Sequence, residues 1–282
     1  MARRTLANSV SVKGVALHSG RETAMTLAPA AEGRGIVFRR ADLGVEIPAL
    51  WDRVAETQLG TVIAEGRNGV AVIEHLMAAL AGAEIDDLAV SVDGPELPIL
   101  DGDALSYSRL LDQAGFAERN APRKAFRILK PVSVGQGDAR ATLSPAGTRE
   151  FDFEISFPGN VIGTQNFAWQ FSREGFARDI APARTFGFMR DLDALNKMGL
   201  ARGASFDNTL AIGEDSIINK SLVRFPDEFV RHKILDAIGD LSLAGAPLIG
   251  RFEGRRSGHA LNNALLRALF ADPANTDEIF LS

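Results

Sequence analysis

Apolar and polar residues alternate with a period of two early in the chain, in SVSVKGV, ETAMTLAPA and GIVFRR. Alternation of this kind, broken by glycine-rich turns, predicts short strands across residues 9–47. The period then lengthens. VAVIEHLMAALAG predicts a helix over 70–82 and IDDLAVSV a strand over 85–92. After the turn-rich DGPELPILDGD comes a second helix, 103–115, stopping near Gly115. The run AERNAPRKA, 117–125, is polar and contains proline, which predicts a linker. Further on, FVRHKILDAIGDL has a helical apolar face made by Phe229, Val230, Ile234, Leu235, Ile238 and Leu241. Through that face runs a polar seam, His232, Asp236 and Asp240, recurring every four residues.

The second half of the chain repeats the order of the first. Val132-Ser133-Val134 matches Val10-Ser11-Val12, and ATLSPA at 141–146 matches MTLAPA at 25–30. RHKILDAIG, 231–239, lies where EHLMAALAG, 74–82, lay, and SGHALNNALL, 257–266, where DGDALSYSRLL, 101–111, lay. Four matched segments in one order imply an internal duplication. The expected fold is α+β, with two similar domains, 1–118 and 124–282. Each would be a mainly antiparallel sheet with two packed helices, and the active site would lie between them. The second domain carries an extra segment, about 178–228, that has no counterpart in the first. Two such domains packed face to face would bring His75 and His232 together from equivalent helices.

Composition narrows the chemistry. The chain has no cysteine, so disulfides and thiolate catalysis are excluded, and a reducing compartment fits. A net charge of -5 gives no electrostatic case for nucleic acid as a partner. MARRTLANSVSV lacks an apolar run long enough for a signal peptide or a spanning helix. The expectation is a cytoplasmic, monomeric protein acting on a small molecule, with no transmembrane segment.

Only four histidines occur, His18, His75, His232 and His259. Residues four apart share a helix face, so His232 and Asp236 are a usable pair of metal ligands. The same spacing equally describes an ordinary ion-paired seam. The duplication makes His75 the natural third ligand, and Glu74 beside it a base for the attacking water. Lys233 could stabilise developing negative charge or simply lie on the surface. His259 opens the last helix, where the macrodipole disfavours an imidazolium; as a general acid it would need a carboxylate partner, for which Asp240 is free. His18, in GVALHSG, fits a hydrogen-bonded turn or a contact to substrate. The inserted segment holds Phe186, Phe188, Met189, Leu192, Leu195, Met198 and Leu200, which suits either core packing or a channel for a long apolar ligand.

VIEHLMAALAG, ARTFGFMRD, DEFVRHKILDAIGDL and SGHALNN, together with GVALHSG and DGPELPILDG, resemble the UDP-3-O-acyl-N-acetylglucosamine deacetylases over nearly the whole chain. That resemblance implies a zinc-dependent hydrolase; ligands of this N/O type also accept iron or cobalt, so iron(II) is an alternative metal in the cell. It would remove acetate from the 2-amino group of a UDP-linked, 3-O-acylated glucosamine, the committed step of lipid A synthesis in Gram-negative bacteria. By motif it implies His75, His232 and Asp236 as metal ligands and Glu74 as general base. Thr185 and Lys233 would stabilise the oxyanion, and His259, oriented by Asp240, would protonate the leaving amine. Phe157, Phe188 and Arg256 are implied contacts to the UDP-sugar portion, and Leu192, Leu200 and Ala201 to the acyl chain. One departure is that Ala139-Arg140 stands where the family often offers a lysine to the nucleotide; either Arg140 substitutes for it or the phosphate contact is weaker there. Rival readings are a deacetylase of another acylated amino sugar, and a non-catalytic sugar-nucleotide sensor, for which Glu74 and His259 would have no use.

Overall fold

The computed structural model describes residues 1–281. The alternating segments form a five-stranded sheet in the order Val10–Val15, Glu22–Pro29, Leu88–Val92, Ile36–Arg40, Val45–Pro48. All neighbours are antiparallel except the pair Leu88–Val92 and Ile36–Arg40. Met25, Leu27, Phe38, Ile47, Val90 and Val92 point inward from it. A second sheet repeats this order with Val132–Gln136, Ala139–Ser144, Leu248–Arg255, Arg149–Phe157, Gly163–Gln170. Its parallel pair, Leu248–Arg255 with Arg149–Phe157, falls at the same place. Two further strands, Lys124–Ile128 and Thr276–Phe280, extend the second sheet.

The helices obey the same repeat. α1 (Glu74–Gly82) leads into the central strand of the first sheet and α2 (Leu105–Ala114) follows it. A short α3 (Arg173–Gly175) and α4 (Met189–Lys197) precede α5 (Glu228–Ser242), which leads into the central strand of the second sheet. α6 (His259–Ala271) then follows that strand. None of the described helices is long and apolar enough to cross a membrane.

α1 is buried on all sides, with Leu76, Met77, Ala78, Ala79 and Leu80 out of water. A helix that is apolar all round belongs between layers, and α1 lies against α5. Gly239 permits the approach: a Cβ there would stand 2.1 Å from the Glu74 carbonyl oxygen. Main chain therefore meets main chain where the two helices cross, and the side chains on either side of the crossing converge.

Two expectations are corrected. The proposed linker is a strand: Phe116–Pro122 pairs antiparallel with Ala2–Leu6. Its polar residues alternate with half-buried ones, so they edge a two-stranded ribbon rather than a tether, and the boundary drawn at 118–124 cuts through that strand. The first helix also starts late, at Glu74. Asn68–Val70 pairs with Val62–Glu65, and Val72 adopts a left-handed φ of 58°, which no helix continues through.

The inserted segment is a small β-α-β unit. Phe186–Phe188 runs parallel to Leu210–Ile212, with α4 between them and no residue of α4 fully buried. Arg184 anchors the unit, its side chain 3.2 Å from the buried Glu228 carboxylate.

Candidate active site

His75 comes from the first turn of α1, and His232 and Asp236 from successive turns of α5. Their rings and carboxylate meet in the buried space beside the helix crossing. The imidazole of His75 meets that of His232 edge to face, centroids 5.0 Å apart. Asp236 Oδ1 lies 3.3 Å from His232 Nε2 and 3.6 Å from His75 Nε2.

The protonation pattern decides what this cluster is for. His232 Nδ1 sits 3.1 Å from the Ala183 carbonyl oxygen, which can only accept, so Nδ1 carries the proton. Nε2 then presents a lone pair, and burial favours that neutral ring, lowering the pKa to about 4. Burial works against the charge of Asp236, yet the neighbouring Lys233 ammonium holds its carboxyl well below the usual carboxylate range. Lys233 Nζ binds its other oxygen at 2.6 Å. Asp236 Oδ1 is thus a buried anionic acceptor with no hydrogen-bond donor, facing the lone pair of His232. Converging lone pairs in an apolar interior call for a cation between them. Two imidazoles and a carboxylate, all able to reach one point, make a donor set that fits a divalent metal.

Next to this trio lies an acid–base network. Glu74 accepts a hydrogen bond from the Thr61 amide through Oε2 at 3.0 Å, and its Oε1 is 3.9 Å from His259 Nε2. Burial raises the Glu74 pKa, as suits a carboxylate that must take up a proton. His259 Nδ1 donates to Asp240 Oδ2 at 2.8 Å. Burial opposes the charge on His259, but the Asp240 carboxylate outweighs it and pushes the pKa up to about 9. A carboxylate and an imidazole, both with raised pKa values, thus face each other, an arrangement able to take up a proton on one side and give one up on the other.

The family model for UDP-3-O-acyl N-acetylglycosamine deacetylase matches residues 3–271. The chain belongs to that family. It is 50% identical over 276 residues to the UDP-3-O-acyl-N-acetylglucosamine deacetylase of Myxococcus xanthus, covering 96% of this chain and 87% of the relative. The enzyme of the same name from Phenylobacterium zucineum is 48% identical over 97% of this chain and 94% of its own length. That of Pseudomonas entomophila is 46% identical over 99% and 93%. A metal-capable His-His-Asp cluster is what a metal-dependent deacetylase family requires.

In this deacetylase-family chain the inserted unit walls a cavity of about 410 Å³ lined by Thr185, Phe186, Phe188, Leu192, Leu195 and Ala201, among others. Loop residues Leu17, His18 and Leu59 close its other side. Phe186 also lies against the His-His-Asp cluster, its ring centroid 6.3 Å from that of His232. Thr185, two residues after Ala183, which holds His232, is itself part of the cavity wall. Phe157 does not line the cavity but packs on it, 5.5 Å from the ring of Phe188. Leu200 is half-buried beside the lining, its amide tied to Leu195 at the end of α4. Arg256 points elsewhere, toward Asp138 at 3.5 Å, with a left-handed φ of 54°. Arg140, in the second strand of the same sheet, pairs in register with Arg255 on one side and Gly135 on the other.

Three polar residues of the network went unmarked in the sequence. Thr61 donates to Asp240 Oδ1 at 2.6 Å, and Asn262 donates to Asp240 Oδ2 at 2.8 Å. Ser257 fixes Asn262 in turn, donating to its side-chain oxygen at 2.9 Å. Asn262 lies one turn after His259, so its helix face was readable; Thr61, in a loop far from both, carried no signal.

Proposed function

We infer that this chain is a metal-dependent amide hydrolase that removes the acetyl group from UDP-3-O-acyl-N-acetylglucosamine, as its family name describes, serving lipid A biosynthesis. The observation that carries the reading is the pairing of Asp236 Oδ1 with two imidazole nitrogens at a point flanked by Glu74 and His259. His75, His232 and Asp236 would hold the metal, and zinc is the finer assignment, because three protein ligands of this N/O type with an open position suit hydrolytic zinc. Iron(II) accepts the same ligands. Once bound, the metal supplies Lewis acidity toward the acetyl carbonyl and toward water.

The protein's own groups do the rest. Glu74, held by the Thr61 amide, takes a proton from the attacking water through Oε1. Thr185 donates to the carbonyl oxygen as charge builds there, and Lys233 adds positive potential from across Asp236. His259 gives the proton on Nε2 to the departing amine, while Asp240 keeps the ring charged and aimed. The apolar cavity beside Thr185 takes the 3-O-acyl chain and excludes water from the reacting amide.

The deciding experiment is metal analysis of the purified protein coupled to an acetate-release assay, before and after chelation. Loss of activity on chelation and its return with zinc are expected. Acetate release that survives complete metal removal overturns the reading.

A further inference from the structure

Glu96, in the stretch DGPELPILDG, is buried yet takes no part in the chemistry above. Its carboxylate accepts from two successive backbone amides, His18 at 2.6 Å through Oε1 and Ser19 at 3.0 Å through Oε2. Burying a carboxylate is costly unless such donors meet it, so the 16–20 turn is pinned to Glu96. The turn in turn grips the inserted unit. The amides of Arg202 and Gly203 donate to the His18 and Leu17 carbonyls at 3.1 and 2.9 Å. Gly203 fits only as glycine, because a Cβ would meet the Ala16 carbonyl oxygen at 2.2 Å.

The His18 ring completes the link. The Ala201 amide, 3.4 Å from Nδ1, can only donate, so Nδ1 is an acceptor. The proton is therefore on Nε2, which donates to the Leu59 carbonyl at 3.1 Å. Both ring nitrogens are committed, one to the inserted unit and one to the loop that runs on through Thr61 to Glu74 and Asp240. Ala201 and Leu59 both take left-handed backbone, φ 56° and 59°, a strained state for residues with a side chain. The ring bonds to the main chain at both strained points.

We propose that Glu96 and His18 form a clamp that fixes the mouth of the acyl cavity and thereby sets the enzyme's discrimination by acyl chain. Both are positioning residues: Glu96 orders the turn, and His18 joins the three wall segments at Leu17, Leu59 and Ala201. This rests on reading the site as an acyl-sugar deacetylase.

The test compares Glu96→Gln, His18→Ala and His18→Asn with the unaltered protein, by amide hydrogen exchange and by kinetics on two substrates. One substrate carries the 3-O-acyl chain; the other is UDP-N-acetylglucosamine, which lacks it. In Glu96→Gln one acceptor is replaced by a donor facing an amide, so exchange at 201–203 should rise about tenfold, the effect of one lost buried hydrogen bond. KM for the acylated substrate should rise by about the same factor with kcat little changed, as uniform binding is lost, and the acyl-free substrate should be unaffected. His18→Ala should match it in exchange, whereas His18→Asn keeps an acceptor near Nδ1 and should recover protection at Ala201. Unchanged exchange at 201–203 in both Glu96→Gln and His18→Ala, or an equal loss on both substrates, overturns the clamp. If the unaltered protein releases no acetate, the proposed function fails and with it the acyl role, while exchange still shows whether the clamp exists.

Discussion

Asp240 and His259 meet through a 2.8 Å hydrogen bond that joins the last turn of α5 to the first residue of α6. A helix N-terminus disfavours an imidazolium. The charged ring persists because Asp240 is itself fixed by Thr61 and Asn262 and cannot turn away.

The pair fixes the alkaline side of the pH profile. A proton donor whose pKa is raised to about 9 stays competent through neutrality and is lost as pH rises through that value. The rate of acetate release should therefore fall above about pH 9. In Asp240→Asn the burial of His259 is left unopposed, so the descending limb should move to lower pH by more than about one unit, each unit being about 1.4 kcal/mol of differential interaction. A pH–kcat profile of both proteins checks this, and an unmoved limb would remove His259 from the acid role.

Glu74→Gln keeps the shape and one acceptor oxygen but cannot take a proton. Folding and metal content should be preserved, while kcat falls by about 10²–10⁴, the usual contribution of a positioned base. Metal stoichiometry and kcat measured on one preparation separate this outcome from loss of the metal.

His232→Ala and Asp236→Ala should behave differently from that. Each removes a ligand from a three-residue set, so metal content itself should drop along with activity. Asp236→Ala also leaves Lys233 without its carboxylate, 2.6 Å away in the intact protein. Loss of one partner of a buried pair costs about 3–5 kcal/mol, so its denaturation midpoint should fall as well.

Gly239→Ala tests the helix crossing. The added methyl would stand 2.1 Å from the Glu74 carbonyl oxygen and 2.8 Å from its carbonyl carbon, both main-chain atoms that cannot step aside singly. The helices must part, at a cost of about 1–3 kcal/mol or more. Because His75 and Asp236 flank that contact, metal affinity should weaken together with the thermal midpoint, although no ligand has been touched.

Periodic features were legible in the sequence. The α5 seam announced itself because helical spacing puts His232, Asp236 and Asp240 on one side, and the segment matching α1 supplied His75. The same period concealed what depends on distant chain. Nothing local marks Thr61 as the residue joining Glu74 to Asp240, or Glu96 as a cap on the His18 turn. The run 117–125 misled because polarity suggests a tether, whereas ribbon strands keep polar residues on their wet face. The repeated sheet order is the physical form a duplication would take, and the division into two similar domains is our proposal.

One half of the molecule brings His75 and the other brings His232 with Asp236, so neither owns a complete ligand set. During synthesis α1 leaves the ribosome before α5 is made, and by itself it carries only one of the three proposed ligands. On the proposed ligand set, loading would accordingly be a closing event, possible only once the two halves have docked. Metal content of a preparation would thus count fully assembled molecules.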